Sequence, residues 1–124
     1  MPPKSKAQLA REHFRRAEPA VAAGDYTEAV TWLFVSLEAA IAAVADRHDL
    51  KTEPKHWQKI DTAEQLQAKG VVGEDVAATL RMLNEARKEA LYEGEEPDLG
   101  DKSLEDLATA VEMAVELAEE QGHE

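Results

Sequence analysis

Cysteine is absent from this chain of 124 residues, which excludes disulfide bonds, thiolate metal sites and cysteine nucleophiles. Aromatic residues are few, with two each of Trp, Tyr and Phe, and glycine and proline are sparse at six and five. The N-terminus has no apolar run of signal-peptide type, and no window approaches 18 consecutive apolar residues. We therefore expect an all-α, cytoplasmic protein that contacts no membrane.

Basic residues are unevenly distributed along the chain. Residues 1–60 carry nine Lys and Arg against eight Asp and Glu, whereas residues 61–124 carry five against eighteen. Attraction for phosphate groups is therefore expected near the N-terminus, where five basic residues cluster: Lys4, Lys6, Arg11, Arg15 and Arg16. Such charge runs are more often solvated helix faces than nucleic-acid interfaces, so this cluster alone does not predict a nucleic-acid ligand.

Hydrophobic periodicity and capping signals predict five helices, over residues 4–22, 26–48, 54–69, 74–92 and 103–120. Gly24 and Gly70 are expected to end the first and third helices, and Ser103 to begin the fifth with a capping box. No strand pattern competes with this interpretation. Short connections between five helices predict a single-domain, antiparallel up-and-down bundle over residues 1–124, with the second and fourth helices as partners at its centre.

The second predicted helix is apolar on two sides. Seven residues form one broad face: Tyr26, Val30, Leu33, Phe34, Leu37, Ile41 and Val44. The other side carries Trp32, Val35 and Ala39, which we expect to form an exposed patch that a homodimer would bury. The alternative is that the first or fifth helix covers this side.

The fourth predicted helix places polar groups on its packing face. At 100° per residue, its apolar stripe is formed by Val76, Leu80, Leu83 and Leu91. Asn84 and Arg87 fall inside this stripe. A guanidinium on such a face needs a carboxylate or carbonyl partner, and Glu38 in the middle of the second helix is the candidate. Arg87 is therefore either one half of a buried ion pair or part of a functional groove that binds a ligand.

Several of these residues together resemble the HEPN domains, the helical domains named for higher eukaryotes and prokaryotes nucleotide-binding. The resemblance covers about residues 24–120, preceded by a helix with a basic start at 1–23, and rests on four features: Glu38, the Lys55-His56-Trp57 sequence, the run from Leu83 to Lys88, and Tyr92. It implies a homodimer and, in active members, a metal-independent ribonuclease toxin with a nucleotidyltransferase-type antitoxin. It also implies that Glu38 holds Arg87.

The chain departs from the family pattern at the two positions that matter for catalysis. Lys88 follows Arg87 where the family usually has Asn, and Tyr92 stands where it has His. A phenol with a pKa near ~10 transfers protons poorly at neutral pH compared with an imidazole near ~6.5. The resemblance therefore implies a non-catalytic member. The candidate catalytic residues are Arg87, Tyr92 and Asn84, and the candidate groove residues are Glu38, Arg87, Lys88 and His56.

Other function classes have weaker support. Residues 23–29 resemble part of a tetratricopeptide unit, which would make the chain a helical adaptor, but no similar residues occur 34 positions later. The chain has four histidines, which lie on different elements and so predict no metal site: His13, His48, His56 and His123. No phosphate-binding glycine loop or other cofactor motif is present. We therefore expect a non-catalytic binding or assembly module for a nucleotide, an RNA end or a partner protein. A ribonuclease toxin, which would need Tyr92 or His56 for proton transfer, is the second hypothesis.

Overall fold

The computed structural model describes residues 4–48, 56–93, 99 and 102–121, with the side chains at 56–59, 92, 93 and 121 outside the description. These residues form an all-α bundle without strands: α1 (Lys6–Ala23), α2 (Tyr26–Arg47), α3 (His56–Ala68), α4 (Val76–Lys88) and α5 (Leu104–Gln121). The predicted helix ends are confirmed to within about two residues, except at the end of α4 and at the predicted start of the third helix, residue 54, which lies outside the described residues. There a π-helical turn, Glu89–Glu93, follows directly.

Local sequence signals account for the helix ends. Gly24 ends α1 in the left-handed conformation at φ 71°, and Gly70 has a φ of 73° after α3. Ser103 and Asp106 form the predicted capping box of α5, because each backbone N–H is bonded to the other's side chain at 3.1 Å. These predictions from sequence are confirmed.

Helix α1 runs antiparallel to α2. Lys6 near the start of α1 pairs with Asp46 near the end of α2 at 2.7 Å, and Ser36 Oγ donates to the Ala10 carbonyl at 2.8 Å. Arg16, farther along α1, lies over Trp32, which is earlier in α2. The two-residue connection at Gly24 and Asp25 imposes this reversal.

Helix α1 also runs antiparallel to α5. Arg11 near the start of α1 binds Glu119 near the end of α5, with Nη2 2.7 Å from Oε1. Glu18 and Val21 near the end of α1 lie across a shallow groove from Glu105 at the start of α5. Because both α2 and α5 are antiparallel to α1, they run in the same direction.

Helix α2 lies at the centre of the bundle. It packs against each of the other four helices, most extensively against α1 and α5 and less against α4. Helices α2 and α4 do pack against each other as predicted, but the contacts of α2 with α1 and α5 are more extensive. Six of the large, fully buried side chains belong to α2: Val30, Leu33, Phe34, Leu37, Ile41 and Val44. Helix α4 reaches α2 beside this central row, and that contact positions Arg87.

Helix α2 is also the most apolar segment of the chain. It contains an 18-residue window with a mean hydropathy of 1.6, so by length and composition alone it qualifies as a membrane span. The sequence has no run of 18 consecutive apolar residues, but this window averages as apolar as a membrane span because it contains few polar residues. Within the bundle, 72% of that window is buried, which is the pattern of a central core helix.

The second apolar side of α2 is partly covered, and α1 contacts it at Trp32. Trp32, Val35 and Ala39 are half-buried and pack against the core, so the expected exposed patch is wrong. The His13 ring stacks on Trp32 with centroids 5.6 Å apart, and the Arg16 guanidinium lies 4.9 Å from the Trp32 ring centre. The homodimer therefore stays a prediction without this patch as its support.

The stacked His13 ring makes the α1–α2 contact sensitive to pH. Burial lowers the pKa of His13, with a smaller contribution in the same direction from Arg16, while Glu12 opposes this shift. The His13 Nδ1 atom is buried and has no hydrogen-bond partner among the described residues. Below the ordinary pKa near ~6.5 the unfolded chain takes up a proton that the folded protein resists. The contribution of neutral His13 to the free energy of unfolding is therefore fully present above that pH, and it is lost as the pH falls toward the lowered pKa of the folded protein.

We expect thermal melts of the wild type to lose more stability between about pH 7 and 5 than melts of His13→Gln. The glutamine variant keeps a polar side chain but has no group that titrates in this window. Parallel pH profiles for the two proteins would contradict a role for His13, because the carboxylates that also titrate are common to both.

Candidate functional site

The packing face of α4 contains the candidate site. Val76, Leu80 and Leu83 are buried as predicted, and Asn84 is also buried, at 8% exposure. Arg87 lies one turn farther along and is half-buried. The prediction that this face carries polar groups into the bundle is therefore confirmed.

The Arg87 guanidinium is held by one ring and one amide. Its central carbon lies 4.6 Å from the centre of the Phe34 ring, and Nη2 donates to Asn84 Oδ1 at 2.9 Å. Nε is buried and has no acceptor among the described residues. When a guanidinium stacks on a ring, its N–H groups point outward within the guanidinium plane and not into the ring. The site can therefore offer further donors to an anion.

The predicted ion pair between Arg87 and Glu38 is not among the ion pairs of the described residues. Glu38 is buried at 5% exposure and lies on α2 one turn after Phe34, on the same face of the helix. Arg87 stacks on Phe34 and donates to Asn84, its neighbour on α4, and neither contact involves the carboxylate. Glu38 is thus a buried acid one helical turn from Phe34, and the direct pairing with Arg87 that the sequence predicted is not observed among the described residues.

The π-helical turn changes the register immediately after Arg87. Leu91, expected on the buried stripe, is 48% exposed, so that part of the prediction is wrong. In the π turn Glu89–Glu93, i→i+5 hydrogen bonds turn each residue through a smaller angle than an α-helix does. In an α-helix, position 92 would lie about 140° around the axis from Arg87. The wider turn brings the backbone at position 92 closer to the face of Arg87. Single π turns are frequent at functional sites.

The other candidate residues are placed differently. Lys88 is exposed and lies 3.7 Å from Glu85 on the outer side of α4, so it is not part of the Arg87 contact. His56 begins α3, but its side chain lies outside the described residues, as does that of Tyr92. The described residues contain no group of three His, Asp or Glu that could hold a metal ion.

Sequence reasoning missed Phe34 as part of this site. Its periodic position marked it as a core residue, and it is indeed 1% exposed. Its role beneath Arg87 could have been suspected from the four-residue spacing to Glu38, since positions i and i+4 share one helix face. Residues 89–93 include no Gly or Pro, so their composition gives no signal for the π turn.

Comparisons of this chain with family models, with curated proteins and with solved structures give no match. A function therefore has to be argued from the site itself. The strongest feature of that site is an arginine with one side-chain hydrogen bond, one aromatic contact and one buried N–H that has no acceptor among the described residues.

Proposed function

We propose that this chain is a HEPN-like helical module without ribonuclease activity, and that it binds the phosphate of a nucleotide or of an RNA end at Arg87. The observation that carries the proposal is the state of the guanidinium. Phe34 and Asn84 fix its position, yet only one hydrogen bond of Arg87 is made to a described residue.

The donors of the half-buried guanidinium support a ligand at this position, because Asn84 accepts from Nη2 alone among the described residues. Leaving a buried donor without an acceptor costs roughly 1–3 kcal/mol, whereas the stacking on Phe34 returns about 0.5–2 kcal/mol. A phosphate oxygen beside the fork would satisfy donors that Asn84 does not reach, and the planar guanidinium matches phosphate geometry. The half-buried side chain excludes part of the surrounding water, which strengthens such contacts relative to an exposed arginine.

The identity of the residue at position 92 supports binding without catalysis. The π turn brings this position toward the Arg87 face, where the HEPN-like pattern would require a histidine. Tyr92 has a phenol whose ordinary pKa near ~10 keeps it protonated at neutral pH. It can donate a hydrogen bond to a phosphate or ribose, but it is a weak general base. A retained arginine with a tyrosine is therefore suited to holding an RNA end rather than cleaving it.

The proposal predicts selective loss of phosphate binding in Arg87→Ala. Removing one charge-assisted hydrogen-bonding group costs about 1.5–3 kcal/mol, so affinity should fall about 10-fold or more. The probes are a nucleoside monophosphate and a short single-stranded RNA with a terminal phosphate, titrated by calorimetry. The same RNA without its terminal phosphate should bind more weakly to the wild type.

Arg81 provides the matched control on the same helix. It is exposed and pairs with Glu64, so Arg81→Ala removes an equal charge away from the Phe34 contact. We expect Arg81→Ala to change affinity by less than about two-fold. Equal losses in both variants, or equal binding of the RNA with and without its phosphate, would overturn the proposal.

A further inference from the structure

A second surface lies at the opposite end of α4. The turn before α4 and the outer face of α5 enclose an open groove of about 630 Å³, here called the α5 groove. Its apolar lining consists of Val72, Val76, Ala110, Met113, Ala114 and Leu117. Met113 is 67% exposed, the most exposed of the large hydrophobic residues that the structure describes. Position 76 is eleven residues from Arg87, about 16 Å along the helix, so the two surfaces are separate.

The groove follows α5 along its length. Asp106, Ala110, Met113, Leu117 and Glu120 all line it, and their spacing of alternately four and three residues places them on one stripe of the helix. From 106 to 120 this stripe extends about 21 Å. An apolar centre with acidic residues at both ends has the length and pattern to accommodate a helix of about four turns.

The rim of the groove is negatively charged, with four acidic residues against one lysine: Asp75, Asp106, Glu116 and Glu120 against Lys102. Asp75, Glu116 and Glu120 are exposed, line the groove and have no ion-pair partner among the described residues. Helix α5 differs on its other side, where Arg11 binds both Glu112 and Glu119. The negative charge at the groove is therefore available to an external cation, and Lys102 is the single basic residue in its lining.

We propose that the α5 groove binds a cationic amphipathic helix of a partner protein. Apolar side chains of that helix at i, i+3, i+4 and i+7 would cover Met113 and Leu117, while Lys or Arg beside this stripe would meet Glu116 and Glu120. The unbranched Met113 side chain can adapt to such a surface.

A second copy of this chain fits the groove poorly. The basic helix α1 is its most suitable described segment, but its apolar residues are already buried in the bundle: Ala7, Ala10, Phe14 and Ala17. Lys4, Lys6 and Arg11 are already in ion pairs with Glu12, Asp46 and Glu119. A different protein is therefore the occupant that the charge and burial pattern favours.

The test measures binding of a fluorescent Leu/Lys peptide of about 18 residues with leucines in the helical i, i+3, i+4, i+7 pattern. A scrambled Leu/Lys peptide and a Leu/Glu peptide of the same pattern serve as probes of shape and charge. In the full-length protein at about 0.15 M salt, we expect the patterned Leu/Lys peptide to bind at least about five-fold more tightly than either.

Two pairs of variants locate the binding site. Glu116→Lys and Met113→Ser should each weaken binding at least about five-fold. Glu105→Lys makes the same charge change on α5 outside the groove, and Leu91→Ser removes the other exposed large hydrophobic residue; both should change affinity less than about two-fold. All four positions are exposed, and circular dichroism should show an unchanged helical fold.

Three outcomes would overturn the inference. Equal binding of the scrambled peptide, or equal losses in Glu116→Lys and Glu105→Lys, would show only non-specific attraction to an acidic protein. A wild-type dimer that Met113→Ser separates in light scattering would identify a second copy as the occupant. Retained peptide binding in Arg87→Ala is expected, and it distinguishes this site from the proposed phosphate site.

Discussion

Phe34→Ala is expected to lower the free energy of unfolding by about 3–5 kcal/mol, the largest stability effect that the site predicts. Phe34 is 1% exposed on the central helix, where α1, α4 and α5 also pack, so its removal leaves a cavity that the backbone cannot close. Domains are commonly stable by only about 5–15 kcal/mol, so this loss is a large fraction of the total. Urea denaturation followed by circular dichroism measures it.

Phe34→Leu separates the two roles of this ring. Leucine retains much of the apolar contact, and we expect a cost of only about 1–1.5 kcal/mol, but it removes the aromatic face beneath the Arg87 guanidinium. Without this support Arg87 is less well fixed, and the terminal-phosphate RNA should bind more weakly although the protein is folded.

Phe14 is the matched control for this substitution. It is 4% exposed on α1 and also has an arginine over its ring, with Arg11 5.6 Å from the ring centre. Phe14→Leu should therefore have a similar cost in stability without any change in RNA affinity. If Phe34→Leu and Phe14→Leu bind the RNA equally well, Phe34 is a core residue and nothing more.

The fold could be predicted from local patterns because each helix carries its own signals. Helix ends are set by residues close in sequence, such as the positive-φ glycines at 24 and 70 and the Ser103 capping box. The apolar periodicity of α2 shows that this helix is buried. The packing partners of α2 could not be predicted in this way. Which helix covers which face depends on the path of the connections, whereas hydrophobic periodicity shows only which side of a single helix is buried.

The site could be predicted only in part for the same reason. The pattern correctly placed Asn84 and Arg87 on the packing face of α4, because that follows from their angle around the helix. It assigned Glu38 as the partner of Arg87 because an isolated buried charge is costly, whereas the guanidinium stacks on Phe34, one turn earlier on α2. Charge complementarity selects plausible partners but not the helix turn at which two side chains meet.

Introducing the HEPN motif should convert the proposed binding module into a ribonuclease. We expect the wild type to leave single-stranded RNA intact in the presence of a chelator, and the double variant Lys88→Asn/Tyr92→His to cleave it. The imidazole, with an ordinary pKa near ~6.5, can both accept and donate a proton at neutral pH, which contributes roughly 10²–10⁴-fold to such reactions. The π turn brings position 92 toward the Arg87 face, as this pairing requires.

Two further variants identify the source of any cleavage. Lys88→Asn/Tyr92→Gln removes the phenol without supplying an imidazole and should be inactive, and adding Arg87→Ala to the introduced motif should abolish its activity. An inactive Lys88→Asn/Tyr92→His variant that still binds terminal-phosphate RNA would contradict the HEPN-like arrangement while leaving the Arg87 ligand site in place. Wild-type cleavage that disappears in both Arg87→Ala and Tyr92→Phe would instead establish the ribonuclease hypothesis, with the phenol acting in proton transfer despite its high ordinary pKa.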